Sequence, residues 1–128
     1  MDTEKTSVLI VDDSQTMREV LKAIVRNEGF VVAGEATDGQ SALAAVLRTR
    51  PDLVCLDVNM PGQTGLEVLQ AIRKQSPATR VVMVTSDASF NTVRNALSFG
   101  ADGYIIKPFN QAKIGDTLRS VLSGSNLG

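Results

Sequence analysis

The chain has 128 residues, 43% of them hydrophobic and 21% charged, a composition that suits one globular domain with its own core. Thirteen basic and fourteen acidic residues give a net charge of −1, which argues against binding nucleic acid or an anionic membrane through bulk charge. One cysteine and no histidine exclude intrachain disulfides, cysteine-based metal clusters, histidine-ligated zinc, and Ser-His-Asp or Cys-His catalysis on this chain.

Short apolar runs alternate with segments whose apolar residues recur at helical spacing. In chain order, the patterns predict a strand at residues 8–11, a helix around 17–25, a strand at 30–33, a helix around 42–47, a strand at 53–56, a helix around 66–72, a strand at 81–84, a helix around 90–97, a strand at 104–106 and a helix around 114–122. Gly34 directly follows the second predicted strand, and Asp38-Gly39 marks a turn. Thr64 and Glu67 have the spacing of a capping box, and Asn110 is placed to cap the last helix.

Five strand–helix units with uniformly apolar strands predict an α/β fold with a parallel sheet covered by helices on both faces. Right-handed crossovers make a doubly wound arrangement the simplest closure. For five strands we expect the flavodoxin-like (β/α)5 fold with strand order 2-1-3-4-5. In such sheets a ligand binds beyond the carboxyl ends of the strands, where the first and third strands meet.

Polar side chains follow four of the predicted strands. The first strand is followed by Asp12 and Asp13, the third by Asp57, the fourth by Thr85 and the fifth by Lys107. Because the carboxyl ends of parallel strands lie along one edge of the sheet, these side chains are expected to share one pocket.

The chemistry of such a pocket is restricted by its charges. Clustered carboxylates repel one another, so either a pKa rises or a cation binds. Oxygen ligands without nitrogen or sulfur suit Mg²⁺. With magnesium and the Lys107 ammonium beside it, Asp57 is a candidate nucleophile that takes a phosphoryl group and forms an acyl phosphate.

Each of these residues also has a purely structural explanation. Asp12 and Asp13 suit the start of a helix, Asp57 suits the start of a turn, Thr85 could cap the next helix, and Lys107 could lie at the surface. These explanations would have to coincide at several separate strand ends. The pocket is therefore the favoured interpretation.

Four segments resemble the motifs of bacterial response-regulator receiver domains, in their stand-alone, CheY-like form. They are LIVDD at residues 9–13, LDVNMP at 56–61, VTS at 84–86 and GYIIKPF at 103–109. The segments occur in the family's order and spacing, and the resemblance runs from about Ser7 to Leu122. It implies a single receiver domain over residues 1–128, with a core at about 7–122 and a tail at 123–128.

The resemblance implies a role for each acidic residue. Asp57 corresponds to the phosphoacceptor. Asp13 would bind Mg²⁺ directly, Asp12 mainly through water, and Asn59 through its backbone carbonyl, with Asp57 completing the metal ligands.

The resemblance also assigns the residues that respond to the phosphoryl group. Thr85 would hydrogen-bond one phosphoryl oxygen and Lys107 would pair with another, and the Lys107–Pro108 peptide bond would be cis. Tyr104 corresponds to the family's switch aromatic, whose ring is expected to move from exposed to inward. A half-buried strand tyrosine with its hydroxyl at the surface is the structural alternative.

Two features of the sequence concern the lifetime and dynamics of the phosphorylated state. Asn59 and Asp87 lie two residues beyond the phosphoacceptor and the threonine, at positions that tune dephosphorylation in the family. The chain departs from the usual pattern at residues 63–65, where it has Gln-Thr-Gly in place of Met-Asp-Gly or Met-Asn-Gly. We expect altered loop dynamics there, with the chemistry retained.

The function implied is that of a phosphoacceptor response regulator in two-component signalling. A histidine kinase or phosphotransfer protein would donate the phosphoryl group, and a downstream protein would bind the surface formed by the fourth helix, fifth strand and fifth helix. Candidate residues on that surface are Asn91, Arg94, Asn95, Ser98, Tyr104, Ile106, Lys113 and Arg119. Because three of these are basic, an acidic or amphipathic partner helix is expected.

The remaining expectations concern location and assembly. The N-terminal MDTEKTS is polar, and no apolar run approaches the ~18 residues of a membrane span, so we expect a cytoplasmic protein without a signal peptide. It should be a monomer or weak dimer that contacts neither nucleic acid nor membrane directly.

Two other functions compete with a phosphorylated signalling module. A magnesium-dependent phosphatase of the haloacid-dehalogenase type also uses an aspartyl nucleophile, but it requires an aspartate two residues later, where this chain has Asn59. A pseudo-receiver that acts only as a scaffold would not need the intact acidic cluster. We therefore expect that the chain is not an enzyme and catalyses only its own phosphorylation and dephosphorylation.

Overall fold

A computed structural model describes residues 6–124 of the chain. Most of the N-terminal MDTEKTS segment, and residues 125–128 of the predicted tail, lie outside the described residues. Within the described range, no helix combines the length and hydrophobicity needed to cross a membrane.

Strands and helices alternate along the whole described chain, as the sequence predicts. The strands are β1 (Ser7–Val11), β2 (Val31–Ala36), β3 (Leu53–Leu56), β4 (Arg80–Thr85) and β5 (Gly103–Ile106). The helices are α1 (Gln15–Asn27), α2 (Gly39–Thr49), α3 (Gly65–Gln75), α4 (Phe90–Ser98) and α5 (Gln111–Leu122).

The five strands form one parallel sheet in the order β2-β1-β3-β4-β5, which confirms the predicted fold. Side chains alternate between the two faces of the sheet, so each face has its own core. On β1, Leu9 and Val11 pack with residues of α2, α3 and α4, whereas Val8 and Ile10 pack with residues of α1 and α5. The strands β1, β3 and β4 are therefore covered on both faces, as the apolar runs predicted, whereas the edge strands β2 and β5 are partly exposed.

The predicted end of the second strand at Ala33, before Gly34, is wrong. β2 spans Val31–Ala36, and Gly34 pairs with Leu9 after a shift in register between Val8 and Leu9. The shift leaves Ala33 as an extra residue in the edge strand, after which the ladder continues to the end of β1. Glycine is a breaker in sequence rules, but here it lies beside a bulge and the backbone pairing resumes after it.

Every helix begins with a side-chain cap. The predicted capping box of Thr64 and Glu67 is confirmed, and Asn110 caps α5 as expected. Asp38 is more than a turn residue, because its carboxylate accepts the Ser41 backbone N–H and caps α2. Two further caps were not predicted: Ser14 on α1 and Ser89 on α4.

Candidate functional site

The parallel ladders bring the predicted polar residues to one edge of the sheet. The Asp57 N–H donates to the Val11 carbonyl at 3.0 Å, which continues the β1–β3 pairing one residue past β3. In the same way the Lys107 N–H donates to the Thr85 carbonyl at 2.8 Å. The backbone therefore delivers the acidic residues and the lysine to the switch point between β1 and β3 that the topology creates.

Three carboxylates form the centre of this edge. Asp12 and Asp57 are 1% and 6% exposed, Asp13 is exposed to solvent, and each offers an oxygen within 4.8 Å of the others. Three converging carboxylates with one side open to water suit a hard cation that keeps several water ligands. The donor set therefore fits Mg²⁺. Asp13 and Asn59 also line one shallow concavity beside the cluster.

Lys107 balances part of this negative charge. Its Nζ lies 2.8 Å from Asp12 Oδ2 and 3.5 Å from Asp57 Oδ2. One ammonium between two buried carboxylates leaves the cluster with net negative charge, which a bound cation would offset. The Lys107–Pro108 peptide bond is cis, as the family resemblance implies.

The Asp57 carboxylate is oriented through both of its oxygens. Oδ1 accepts the Asn59 backbone N–H at 3.2 Å, and Oδ2 faces Lys107. The loop after Asp57 is held close to α3, because the Gly65 N–H donates to the Val58 carbonyl at 2.8 Å. A Cβ at position 65 would lie only 2.1 Å from the Asp57 carbonyl oxygen, so the glycine permits this approach.

Thr85 and Asp87 connect the pocket to the start of α4. Thr85 is completely buried, and its Oγ1 accepts the Asp87 N–H at 3.3 Å. The Asp87 carboxylate accepts hydrogen bonds from the Ser89 N–H and the Thr92 hydroxyl, both at 3.0 Å. Hydrogen bonding from Ser89, and then from Thr92, lowers the pKa of Asp87. Because Ser89 caps α4, the structural explanation of Thr85 as a helix cap is wrong.

Tyr104 reaches the same loop from β5. Its ring is half-buried against the core between the sheet and α2, α3 and α4, and its hydroxyl donates to the Asp87 backbone carbonyl. Burial and the charges of Asp87 and Asp57 raise the pKa of the tyrosine to about 12. The ring was expected to be exposed before it moves inward. In this structure it is already half-buried, and its hydroxyl contacts the β4–α4 loop.

Asp12 has contacts that the sequence analysis missed. Its Oδ1 accepts the Ser14 N–H at 2.9 Å, and its backbone carbonyl accepts a hydrogen bond from Arg18 Nη1 at 2.9 Å. Arg18 also donates from Nε to Glu35 Oε1 at 2.8 Å. An arginine one turn into α1 and a glutamate near the end of the neighbouring strand are the signal that could have indicated this link.

The predicted basic character of the outer surface is only partly confirmed. Arg94 is exposed and lies over the Phe90 ring, 5.7 Å from its centroid. Arg119 is already paired, at 2.8 Å with Glu28 and at 3.0 Å with Asp116. It is therefore not an unpaired positive charge for a partner. The surface also exposes three apolar side chains: Phe90, Leu97 and Ile106.

Comparison with protein families finds the response regulator receiver domain, whose model matches residues 8–119. The chemotaxis protein CheY of Thermotoga maritima is 35% identical over 114 residues, which cover 89% of this chain and 95% of that protein. The DNA-binding response regulator MtrA of Mycolicibacterium smegmatis is 38% identical over 122 residues, 95% of this chain, and these span about half (53%) of MtrA.

Among solved structures, the CheX-CheY-BeF3-Mg²⁺ complex from Borrelia burgdorferi contains a similar chain. The two share 33% sequence identity with a TM-score of 0.88, and the match covers 91% of this chain and 88% of the other. The similarity therefore extends through the whole sheet and its helices.

Proposed function

The chain belongs to the response regulator receiver family, and on that premise we propose that Asp57 is its phosphoacceptor and that α4, β5 and α5 carry the signal to a partner. Receiver domains are the phosphoacceptors of two-component signalling, and this is the function of the chain. The single observation that best supports Asp57 is its position. Its buried carboxylate follows the central strand β3 and lies 3.5 Å from Lys107 on one side and beside the Asp12 and Asp13 carboxylates on the other.

The geometry supports a direct transfer onto Asp57. One carboxylate oxygen forms a bond to phosphorus as the bond from phosphorus to the donor breaks, and the electron pair of that bond leaves with the donor group. For a phosphohistidine donor, the leaving imidazole nitrogen keeps this pair. Lys107 and the Thr85 hydroxyl are placed to bind two of the phosphoryl oxygens, because Thr85 ends β4, Lys107 follows β5, and both lie at the same sheet edge as Asp57.

We assign the metal site of this reaction to the same acidic cluster. Asp13 and Asp57 would be the direct carboxylate ligands, Asp12 would act mainly through water, and the Asn59 backbone carbonyl would complete the protein ligands. Bound Mg²⁺ would neutralise negative charge on the phosphoryl oxygens during transfer. The side chains of Asp12 and Asp57 are prearranged for this by Ser14, Asn59 and Lys107.

We further propose that the chain turns over no external substrate. A haloacid-dehalogenase phosphatase needs a carboxylic acid two residues after the nucleophile, and the amide of Asn59 cannot donate a proton in that way. A scaffold without phosphorylation would have no use for three clustered carboxylates and a lysine. An assay with small phosphate esters should therefore show no catalytic turnover, and sustained turnover would favour the phosphatase.

For the partners, we propose a histidine kinase or phosphotransfer protein as the donor and a downstream protein on the α4-β5-α5 surface. The Borrelia protein named CheY was solved in a complex with CheX, BeF3 and Mg²⁺. Because the two chains are similar, that complex supports a protein partner, an anion at the pocket and Mg²⁺ as ligands of this chain. The exposed Phe90, Leu97 and Ile106, with Arg94 and Lys113 nearby, suit an amphipathic and acidic segment. The expected assembly of the free chain is a monomer or weak dimer without direct contact to nucleic acid or membrane.

The experiment is phosphorylation by acetyl phosphate with and without Mg²⁺. The wild-type chain should gain one phosphoryl group only when Mg²⁺ is present, whereas Asp57→Asn should gain none, because the amide keeps the shape but lacks the nucleophilic oxygen. The matched control is Asp52→Asn, a carboxylate at the opposite end of β3 that accepts hydrogen bonds from Ser7. Equal incorporation into wild type and Asp57→Asn would reject Asp57 as the phosphoacceptor.

A further inference from the structure

Arg18 is the charged side chain that holds the backbone of the acidic loop from the side of α1. The β1 ladder ends at Val11, and beyond it the Asp12 N–H still donates to the Ala36 carbonyl at 3.1 Å. The Asp12 carbonyl instead accepts its hydrogen bond from Arg18 Nη1, at 2.9 Å. The side chain of Arg18 is only 12% exposed, so this contact is largely shielded from water.

Arg18 is itself fixed by a second anchor. Its Nε donates to Glu35 Oε1 at 2.8 Å, and the other Glu35 oxygen lies 2.7 Å from Lys22 Nζ. Hydrogen bonds from Lys22 and then Arg18 lower the pKa of Glu35, so the carboxylate stays charged. The planar guanidinium thus spans from the edge strand β2 to the backbone of Asp12 with two of its donors.

Asp13 has no comparable support of its own. Among residues 6–124 no side chain or backbone group donates a hydrogen bond to its carboxylate, although this carboxylate is the solvent-facing member of the acidic cluster. Its position therefore depends on the backbone that leads to it. The Asp12 carbonyl belongs to the planar peptide group that joins Asp12 to Asp13. Fixing that oxygen therefore also fixes the backbone N and Cα atoms of Asp13, which lie in the same plane.

We infer that Arg18 is a positioning residue that, by holding the Asp12 carbonyl, places the Asp13 carboxylate where it binds the magnesium ion. This inference rests on the proposed role of the acidic cluster as the metal site. Arg18 touches neither the metal nor the phosphoryl group; it acts through the Asp12–Asp13 peptide. Loss of the guanidinium should therefore weaken magnesium binding while leaving Asp57 and Lys107 in place.

The test is a Mg²⁺ titration of the full chain, followed through the backbone amide NMR signals of residues 12, 13 and 57. Arg18→Met keeps the apolar stem and removes both donors, and we expect its Mg²⁺ dissociation constant to rise on the order of tenfold. The rate of phosphorylation by acetyl phosphate at saturating Mg²⁺ should remain within about twofold of wild type, because Asp57 is unchanged. Arg18→Lys keeps the charge, yet one ammonium cannot reproduce the two-donor geometry, so it should also lose affinity.

Lys22→Met is the matched control. Lys22 lies on the same helix, is 13% exposed against 12% for Arg18, and also pairs with Glu35, but it does not contact the acidic loop. Its Mg²⁺ affinity should equal that of wild type. Wild-type affinity in Arg18→Met or Arg18→Lys, or an equal loss in Lys22→Met, would overturn the positioning role.

A separate variant, Asp13→Asn, distinguishes rejection of the Arg18 role from rejection of the proposed metal site itself. Asp13→Asn should bind Mg²⁺ far more weakly than wild type. If Asp13→Asn titrates like wild type, the proposed metal site is wrong and the inference falls with it. If Asp13→Asn is impaired while Arg18→Met is not, only the role of Arg18 is rejected.

Discussion

Lys107 is the residue on which the charge balance of the acidic pocket depends. It lies within 2.8 Å of one buried carboxylate and 3.5 Å of another, while its own side chain is 18% exposed. Removing the lysine leaves two buried carboxylates without an ammonium, and unpaired buried charges destabilise a fold strongly.

Lys107→Met should therefore lower the free energy of unfolding of the metal-free protein, by about 2 kcal/mol given the partial exposure of the lysine. Mg²⁺ should restore more stability to the variant than it adds to wild type, because the cation replaces the missing positive charge. Urea unfolding with and without Mg²⁺ measures both effects. Lys74→Met, at an exposed position on α3, is the control. An equal Mg²⁺ effect in wild type and Lys107→Met would contradict this account.

Tyr104 offers a pH-dependent test of the contact between β5 and the β4–α4 loop. Its pKa is raised from 10.0 to about 12 in the folded protein, first by burial and then by Asp87 and Asp57. A raised pKa in the folded state means that this tyrosine contributes stability below pH 10, and that the contribution is lost as the pH rises from 10 towards 12.

Because the chain has one tyrosine and no tryptophan, tyrosinate absorbance reports Tyr104 alone. The titration midpoint should lie near 12 in the folded protein and near 10 in urea, while circular dichroism monitors whether the fold persists. Tyr104→Phe should lose both the signal and this component of the stability change. The same midpoint in folded and unfolded protein would mean that the hydroxyl is free in solution.

At the scale of elements, the apolar runs were sufficient to locate all five strands and five helices, and the signal is clearest for β1, β3 and β4, which are buried on both faces. The third strand matches at both ends, because it is central in the sheet and bounded by polar residues. The second strand does not match. It is an edge strand with a bulge, and its continuation past Gly34 depends on pairing with β1, which lies more than 20 residues away in sequence. Local patterns do not contain that information.

The contact between α3 and the loop after Asp57 gives a prediction at this scale. Gly65→Ala places a Cβ only 2.1 Å from the Asp57 carbonyl oxygen, so α3 or the loop must shift. We expect a loss of about 1–3 kcal/mol in the free energy of unfolding and slower phosphorylation, because the shift moves the backbone of Asp57. Denaturant unfolding and acetyl phosphate kinetics measure the two effects.

Gly62→Ala is the control for Gly65→Ala. Gly62 has a φ of +80° but no atom within 4 Å of an added Cβ, so its substitution tests backbone strain without a clash. It should cost about 1–2 kcal/mol of stability and leave the phosphorylation rate near wild type. Equal slowing in both variants would show that loop conformation, and not the approach of α3, controls the reaction.

At the scale of the whole molecule, the position of the acidic pocket followed from topology alone. A parallel sheet gathers its carboxyl ends on one edge, so Asp12, Asp13 and Asp57 had to meet once the strand order was known. The partners of long side chains were less predictable. The pairing of Arg119 with Glu28, and the link from Arg18 to Glu35, join residues whose proximity depends on how α1 packs against α5 and β2.

The central claim is that Asp57 accepts the phosphoryl group, and its most direct test is chemical identification of the modified residue. An acyl phosphate is reduced by borohydride to an alcohol, which converts the phosphorylated aspartate to homoserine. After treatment with acetyl phosphate and Mg²⁺ followed by borohydride, mass spectrometry of peptides should find homoserine at position 57 and unmodified aspartate at positions 12 and 13. Homoserine at position 12 or 13, or at no position despite incorporated phosphate, would contradict the assignment of Asp57.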